Sequence, residues 1–168
     1  MRLSMPLAAC AMALALATGS TASAAPRQTP PDNSTVQLRA TFPAGQCLDS
    51  NADAATYTTG CDANNRYQQW TWIQRGGNNV MLTDVATGRC LDSNAAGGAY
   101  TSPCGVDNQY EQWTYQEGHN ISGGGTGTYW FTDVATGRCL YSNINGDAFT
   151  STACYPDMPG IWNIDAVS

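Results

Sequence analysis

The chain has 168 residues, with seven arginines, no lysine and thirteen acidic residues, for a formal charge of −6. So few cations form no basic patch, which argues against nucleic acid and anionic membrane surfaces as partners and disfavours sialylated or sulfated ligands. The length allows one domain around one modest core.

Residues 1–24 read as a secretory signal peptide. Arg2 supplies the positive start, Pro6–Ala17 the short apolar run, and Ala22-Ser23-Ala24 the small-residue cleavage pattern. The run is too short to span a bilayer, so no membrane insertion is expected and the product is expected outside the cell. Cleavage removes Arg2 and Cys10, leaving six cysteines and a charge of 6 − 13 = −7. Residues 25–35 read as a flexible lead-in with three prolines, Pro26, Pro30 and Pro31. The folded domain is expected over residues 36–168.

From there short apolar runs alternate with turn residues, the pattern of many short strands. The octapeptide Thr83–Cys90 (TDVATGRC) recurs unchanged at Thr132–Cys139, and each copy runs on into Leu-x-Ser-Asn. A looser copy precedes them at Cys47-Leu48-Asp49-Ser50-Asn51. Cys47–Cys61, Cys90–Cys104 and Cys139–Cys154 are separated by 14, 14 and 15 residues, and Trp70, Trp113 and Trp162 keep the same register. Three units are therefore expected, at about 36–74, 79–116 and 128–165. The six residues by which the spacing of the third exceeds that of the second fall in the Gly-rich connector Gln116–Gly127, which carries the lone histidine, His119. Ala86-Thr87-Gly88-Arg89 reads as a hairpin turn.

Apolar residues recur nine positions before the cysteine (Leu38, Met81, Trp130), five before it (Phe42, Val85, Val134) and one after it (Leu48, Leu91, Leu140). With the three tryptophans these predict one shared core. Three units of about four strands, too few for a long solenoid, make an all-β protein, a β-trefoil.

Six cysteines allow fifteen pairings, but the repeat register selects bridges within each unit: Cys47–Cys61, Cys90–Cys104 and Cys139–Cys154. No Cys-x-x-Cys spacing exists, which speaks against zinc, and no carboxylate cluster able to cage calcium is evident. No metal or cofactor is expected.

At Cys-Leu-Asp, the second cysteine fourteen residues on, and Gln68-Gln69-Trp70, the chain resembles the ricin B-type lectins, which are also classed as carbohydrate-binding modules. The pattern is most similar to actinohivin-like lectins, and the likeness spans roughly Val36–Asp165. The resemblance implies glycans or polysaccharides as partners. It passes the role of hydroxyl-binding carboxylate to Asp49 and Asp92, and that of pocket tyrosine to Tyr57 and Tyr100. In the first repeat Asn64 and Asn65 compete for the place of the pocket amide, with Gln68 beyond them. In the second, Asn108 stands there and Glu111 replaces the usual Gln. Thr59 and Ser102 stand where the family has Leu.

This set suits a neutral hexose: a carboxylate accepts hydroxyl protons, an aromatic ring covers the C–H face, and an amide fixes orientation. The third repeat has Tyr141 for the Asp, Phe149 for the Tyr and Gly160 for the Gln, and is expected to be retained for structure only. The tryptophans are expected in the core, and Asn51, Asn94 and Asn143 in turns.

Two other functions compete. A glycosidase needs two carboxyls flanking a cleft, and the pairs available, such as Asp49 with Asp53, sit in turns. A hydrolytic triad has no histidine to use except His119. A protein-binding or inhibitory trefoil would act through a loop such as Gln116–Gly127.

Overall fold

The computed structural model describes residues 29–118, 127–154 and 160–167. The expected signal peptide and the part of the connector carrying His119 lie outside the described residues.

Among the described residues twelve strands follow in order: β1 (Ser34–Ala40), β2 (Gln46–Ser50), β3 (Thr56–Gly60), β4 (Trp70–Gly76), β5 (Asn79–Asp84), β6 (Cys90–Ser93), β7 (Ala99–Ser102), β8 (Trp113–Gly118), β9 (Thr128–Asp133), β10 (Cys139–Ser142), β11 (Ala148–Ser151) and β12 (Trp162–Ala166). Single 3-10 turns at Arg66–Gln68 and Gln109–Glu111 precede β4 and β8. Antiparallel pairings run β1–β4–β5–β8–β9–β12 and back to β1, a closed six-strand barrel. The hairpins β2–β3, β6–β7 and β10–β11 extend from β1, β5 and β9. Their outer strands meet one another, through Ala55–Tyr100, Tyr57–Asp147 and Gly98–Phe149, and close one end of the barrel. This is a β-trefoil, and the three disulfides lie within repeats as the register predicted.

The core is threefold. Trp70, Trp113 and Trp162 are fully buried beside Leu48, Leu91 and Leu140. Each indole Nε1–H donates to the carbonyl of the leucine in its own repeat, at 3.2, 3.1 and 3.1 Å. Buried indoles need such a partner. It explains why Cys-Leu and Trp keep a constant spacing.

Two expected apolar series require correction. Phe42 and Val134 are exposed and Val85 is half-buried. They follow the strand ends Ala40, Asp84 and Asp133, in turns whose side chains face out. In the second and third repeats the barrel-facing residues of the first strand are Leu82 and Phe131, one position after Met81 and Trp130. The segment between β1 and Cys47 is one residue longer than its counterparts, and a one-residue offset on a strand moves a side chain to the other face. The lead-in also ends earlier than expected. Asn33 N–H donates to Trp72 O (2.7 Å) and Gln74 N–H to Asp32 Oδ1 (2.8 Å), so residues 32–35 already belong to the fold.

The repeated octapeptide is structural. Asp84 Oδ1 accepts from Thr87 N (2.7 Å) and Oγ1 (2.8 Å), and Asp133 does the same with Thr136 at 2.7 and 2.6 Å. Gly88 and Gly137 take the left-handed conformation that the turn needs (φ 71° and 69°). The Leu-x-Ser serines reach into the next repeat. Ser50 Oγ donates to Asp84 Oδ2 (2.8 Å), Ser93 faces Asp133, and Ser142 donates to Phe42 O (3.0 Å). Asn51, Asn94 and Asn143 brace turns: their Oδ1 atoms accept from the backbone N–H of Ala55, Gly98 and Asp147, each at 3.0 Å.

Candidate functional site

Asp49 and Asp92 sit on β2 and β6 directly after the core leucines, so each side chain points opposite to the leucine, and both are buried, 2% and 4% exposed. Asp49 pairs across the hairpin with Tyr57, and Asp92 with Tyr100. The tyrosine hydroxyls donate to Ser50 O (3.2 Å) and Ser93 O (3.0 Å), fixing each ring beside its carboxylate.

Geometry separates Asn64 from Asn65. Asn64 is exposed, and its own backbone N–H donates to Asp62 Oδ1. Asn65 caps the 3-10 turn, its Oδ1 accepting from Tyr67 N (3.1 Å), while its Nδ2 donates to Asp49 Oδ2 (3.0 Å). Asn108 repeats both contacts, with Tyr110 N (3.1 Å) and Asp92 Oδ2 (3.4 Å). A side-chain oxygen capping the turn forces the amide's donor side toward the carboxylate.

Gln68 and Glu111, expected among the pocket residues, are 1% and 0% exposed and lie beneath the carboxylates. Both stand two residues before a core tryptophan and so face inward with it. Gln68 is a three-way clamp. Its Nε2 donates to Asp49 Oδ2 and Gly60 O, both at 3.0 Å, and its Oε1 accepts from Asp62 N (2.8 Å). Glu111 lacks an amide donor and is held differently: Ser102 Oγ lies 2.7 Å from Oε1, and Gly105 N–H donates to Oε2 at 2.7 Å. Ser102 Oγ is also 2.7 Å from Asp92 Oδ2.

The second repeat encloses an open pocket of about 180 Å³, lined by Asp92, Ser93, Asn94, Ala95, Tyr100, Asn108 and Tyr110. Tyr110 on the 3-10 turn, and Tyr67 at the same offset in the first repeat, escaped the sequence reading. Their shared position two residues beyond Asn108 and Asn65 was the available signal.

The third repeat is rebuilt. Tyr141 replaces the carboxylate, and its ring lies over Gly160 so closely that a Cβ there would stand 3.0 Å from the ring atoms. The Tyr141 hydroxyl donates to Ala153 O, and its ring stacks on Phe149 with centroids 6.0 Å apart. A larger residue at the Asp position is matched by glycine at the Gln position, and the space is filled.

Burial pushes the carboxyls of Asp49, Asp92 and Asp133 above the usual carboxylate range, against the opposing pull of their hydrogen-bond donors. Tyr57 and Tyr100 are raised as well, by burial and then by the neighbouring carboxylate, so both remain protonated donors. The carboxyl shifts set the sign of the pH dependence of stability. A folded pKa above the unfolded value means that the native state binds protons more tightly. The stabilising contribution is then complete below the unfolded pKa near 3.9 and is lost as pH rises through the folded value. The urea midpoint is therefore expected to be higher at about pH 4.5 than at about pH 7.5. A midpoint that falls steadily on acidification would contradict this reading.

A family model described as "Ricin-type beta-trefoil lectin domain-like" matches residues 66–153. No curated protein matches. Among solved structures, one titled "BEL beta-trefoil apo crystal form 3" superposes with a TM-score of 0.69 at 18% identity, covering 83% of this chain and 97% of that one. The designed threefold-symmetric protein ThreeFoil gives 0.62 at 18% identity, with 78% and 97% covered. An endo-β-galactosidase from Clostridium perfringens that releases GlcNAcα1-4Gal gives 0.67 at 14% identity, with 80% of this chain but only 33% of the enzyme covered. At these identities the structures share the fold. The family match is independent of them. It covers residues 66–153, just over half of the chain, and by it the chain belongs to the ricin-type β-trefoil lectin domain-like family.

Proposed function

We propose that this is a secreted, non-catalytic sugar-binding protein with two pockets for neutral hexoses of galactose or mannose type, one in each of the first two repeats. The observation that carries the reading is the duplicated carboxylate. Asp49 and Asp92 are each held through Oδ2 by framework donors and flanked by a tethered tyrosine, and the same position is filled by Tyr141 in the third repeat. Asp49 Oδ1 is buried without a partner among the described residues, and Asp92 Oδ1, which accepts from Ser93 N–H, keeps a second lone pair for a ligand hydroxyl. Tyr57 with Tyr67, and Tyr100 with Tyr110, offer rings to the apolar face of a pyranose. The actinohivin-like pattern, the domain limits and the leader at residues 1–24 fit the same reading. Two shallow pockets on one rigid body gain by avidity on a multivalent glycan.

A glycosidase is the second reading, because one structural neighbour is an endo-β-galactosidase. The second pocket does hold two carboxyls, but Glu111 is fully buried and joined to Asp92 through a single hydroxyl. A catalytic pair must flank a scissile bond, roughly 5–9.5 Å apart, with both members in reach of substrate.

Titration calorimetry with a monovalent hexoside tests the proposal. A stoichiometry near two is expected, falling to one in Asp49→Ala or Asp92→Ala and to no binding in the double variant. Binding that survives the double variant would place the site elsewhere.

A further inference from the structure

The two pockets differ in one chemical respect. In the first, the amide of Gln68 supplies the buried donor to Asp49 Oδ2 at 3.0 Å, and its proton inventory is that of a single carboxyl. In the second, Glu111 brings a second carboxyl, and Ser102 Oγ stands 2.7 Å from both Asp92 Oδ2 and Glu111 Oε1. A hydroxyl has one proton to give. Both contacts are hydrogen bonds only if one carboxyl contributes a proton of its own.

Backbone donors fix the far oxygen of each carboxyl, Ser93 N–H on Asp92 Oδ1 and Gly105 N–H on Glu111 Oε2, both at 2.7 Å, so neither group can swing away. Among the described residues, the ionisable groups that act on Tyr100, the cross-strand partner of Asp92, are Asp92, Glu111, Tyr110 and Asp133, none of them cationic. Arg138, on the β9–β10 turn, packs instead against Gly97 in the Asn94–Gly98 turn. With no cation beside them among the described residues, two buried like charges favour retention of a proton.

We propose that Asp92 and Glu111 share one proton through the Ser102 hydroxyl, and that ligand binding in the second pocket, but not in the first, is coupled to this shared proton. The coupling rests on the sugar-binding reading above; the shared proton does not. A sugar hydroxyl donating to Asp92 Oδ1 favours the ionised carboxylate. Binding then expels the proton to solvent, and affinity rises with pH by up to about tenfold per unit while one proton is released. Tight coupling makes the two titration steps a property of the pair rather than of either residue.

The test begins without sugar. Carboxyl carbon NMR of the full chain, titrated from about pH 3 to pH 8, is expected to show Asp92 and Glu111 following the same two steps while Asp49 follows one. Glu111→Gln, its fold checked by the amide spectrum, should reduce Asp92 to a single step at lower pH. Independent single steps for Asp92 and Glu111 in the native chain would overturn the shared proton.

The second arm uses Asp49→Ala, which silences the first pocket. Methyl α-mannoside and methyl β-galactoside are titrated by calorimetry in two buffers of different ionisation enthalpy. Net proton release is expected with Glu111 present and is expected to be much reduced in Asp49→Ala/Glu111→Gln. Equal release in both would overturn the coupling. Two-step carboxyl titration with no binding of either hexoside in the native chain would overturn the sugar-binding reading and the coupling, and leave the shared proton standing.

Discussion

Replacing Trp113 by alanine is expected to lower the unfolding free energy by about 3–5 kcal/mol, the range for deleting a large aromatic from a packed core. The indole is fully buried, and its Nε1–H donates at 3.1 Å to Leu91 O. Alanine removes the ring and also leaves that carbonyl without its donor. Trp113→Phe separates the two effects: it retains most of the apolar volume and loses the N–H, at about 1–3 kcal/mol for the unsatisfied buried group. Urea denaturation followed by circular dichroism reads both. A loss under about 1 kcal/mol in Trp113→Ala would show that the repeat collapses around the vacancy.

Removal of the second disulfide, as Cys90→Ser/Cys104→Ser, is expected to cost about 2–5 kcal/mol, since a loop of this size is worth about 3 kcal/mol in the chain-entropy account. Its consequence for the pocket is more specific. Cys104 lies between Ser102, which touches both carboxyls, and Gly105, whose N–H holds Glu111. Opening this bridge frees the clamp, so hexoside affinity in the second pocket should fall even under conditions where the variant is fully folded. The matching variant of the third bridge, Cys139→Ser/Cys154→Ser, should lose comparable stability and leave both pockets intact. Thermal denaturation with calorimetry on the same samples separates the cases. Equal loss of binding in the two variants would mean that the bridges act on the whole body rather than on their own repeats.

The architecture was legible because a threefold repeat states the same constraint three times. Cysteine, leucine and tryptophan recur at fixed spacing, and the indole–leucine bond gives that spacing a physical cause. The pocket was legible in part. Asp49 with Tyr57, and Asp92 with Tyr100, do stand together. The depth of Gln68 and Glu111 was not readable, because spacing places a residue near a site without saying which side of the carboxylate it occupies. Offsets counted from the cysteine carried Leu38 over to Met81 and Trp130 instead of Leu82 and Phe131, because one extra residue precedes Cys47 and a one-residue offset lands on the other face of the strand. Ser102 was seen only as a departure from a family leucine. Its part as the atom between two acids depends on ångström distances that no spacing encodes.

The barrel is sealed by the pairing of its first strand with its last. Val36 lies opposite Ala166, and Arg39 reaches Asp165 across 126 positions of chain. That seam governs the kinetics of folding. Each repeat's hairpins bring together residues close in sequence and can form early, but the ring closes only when the C-terminal strand arrives. High contact order of this kind slows folding to the order of milliseconds to seconds. During synthesis the seam cannot form until β12 has left the ribosome. Until then the chain stays open, and its barrel-facing tryptophans lack their final cover.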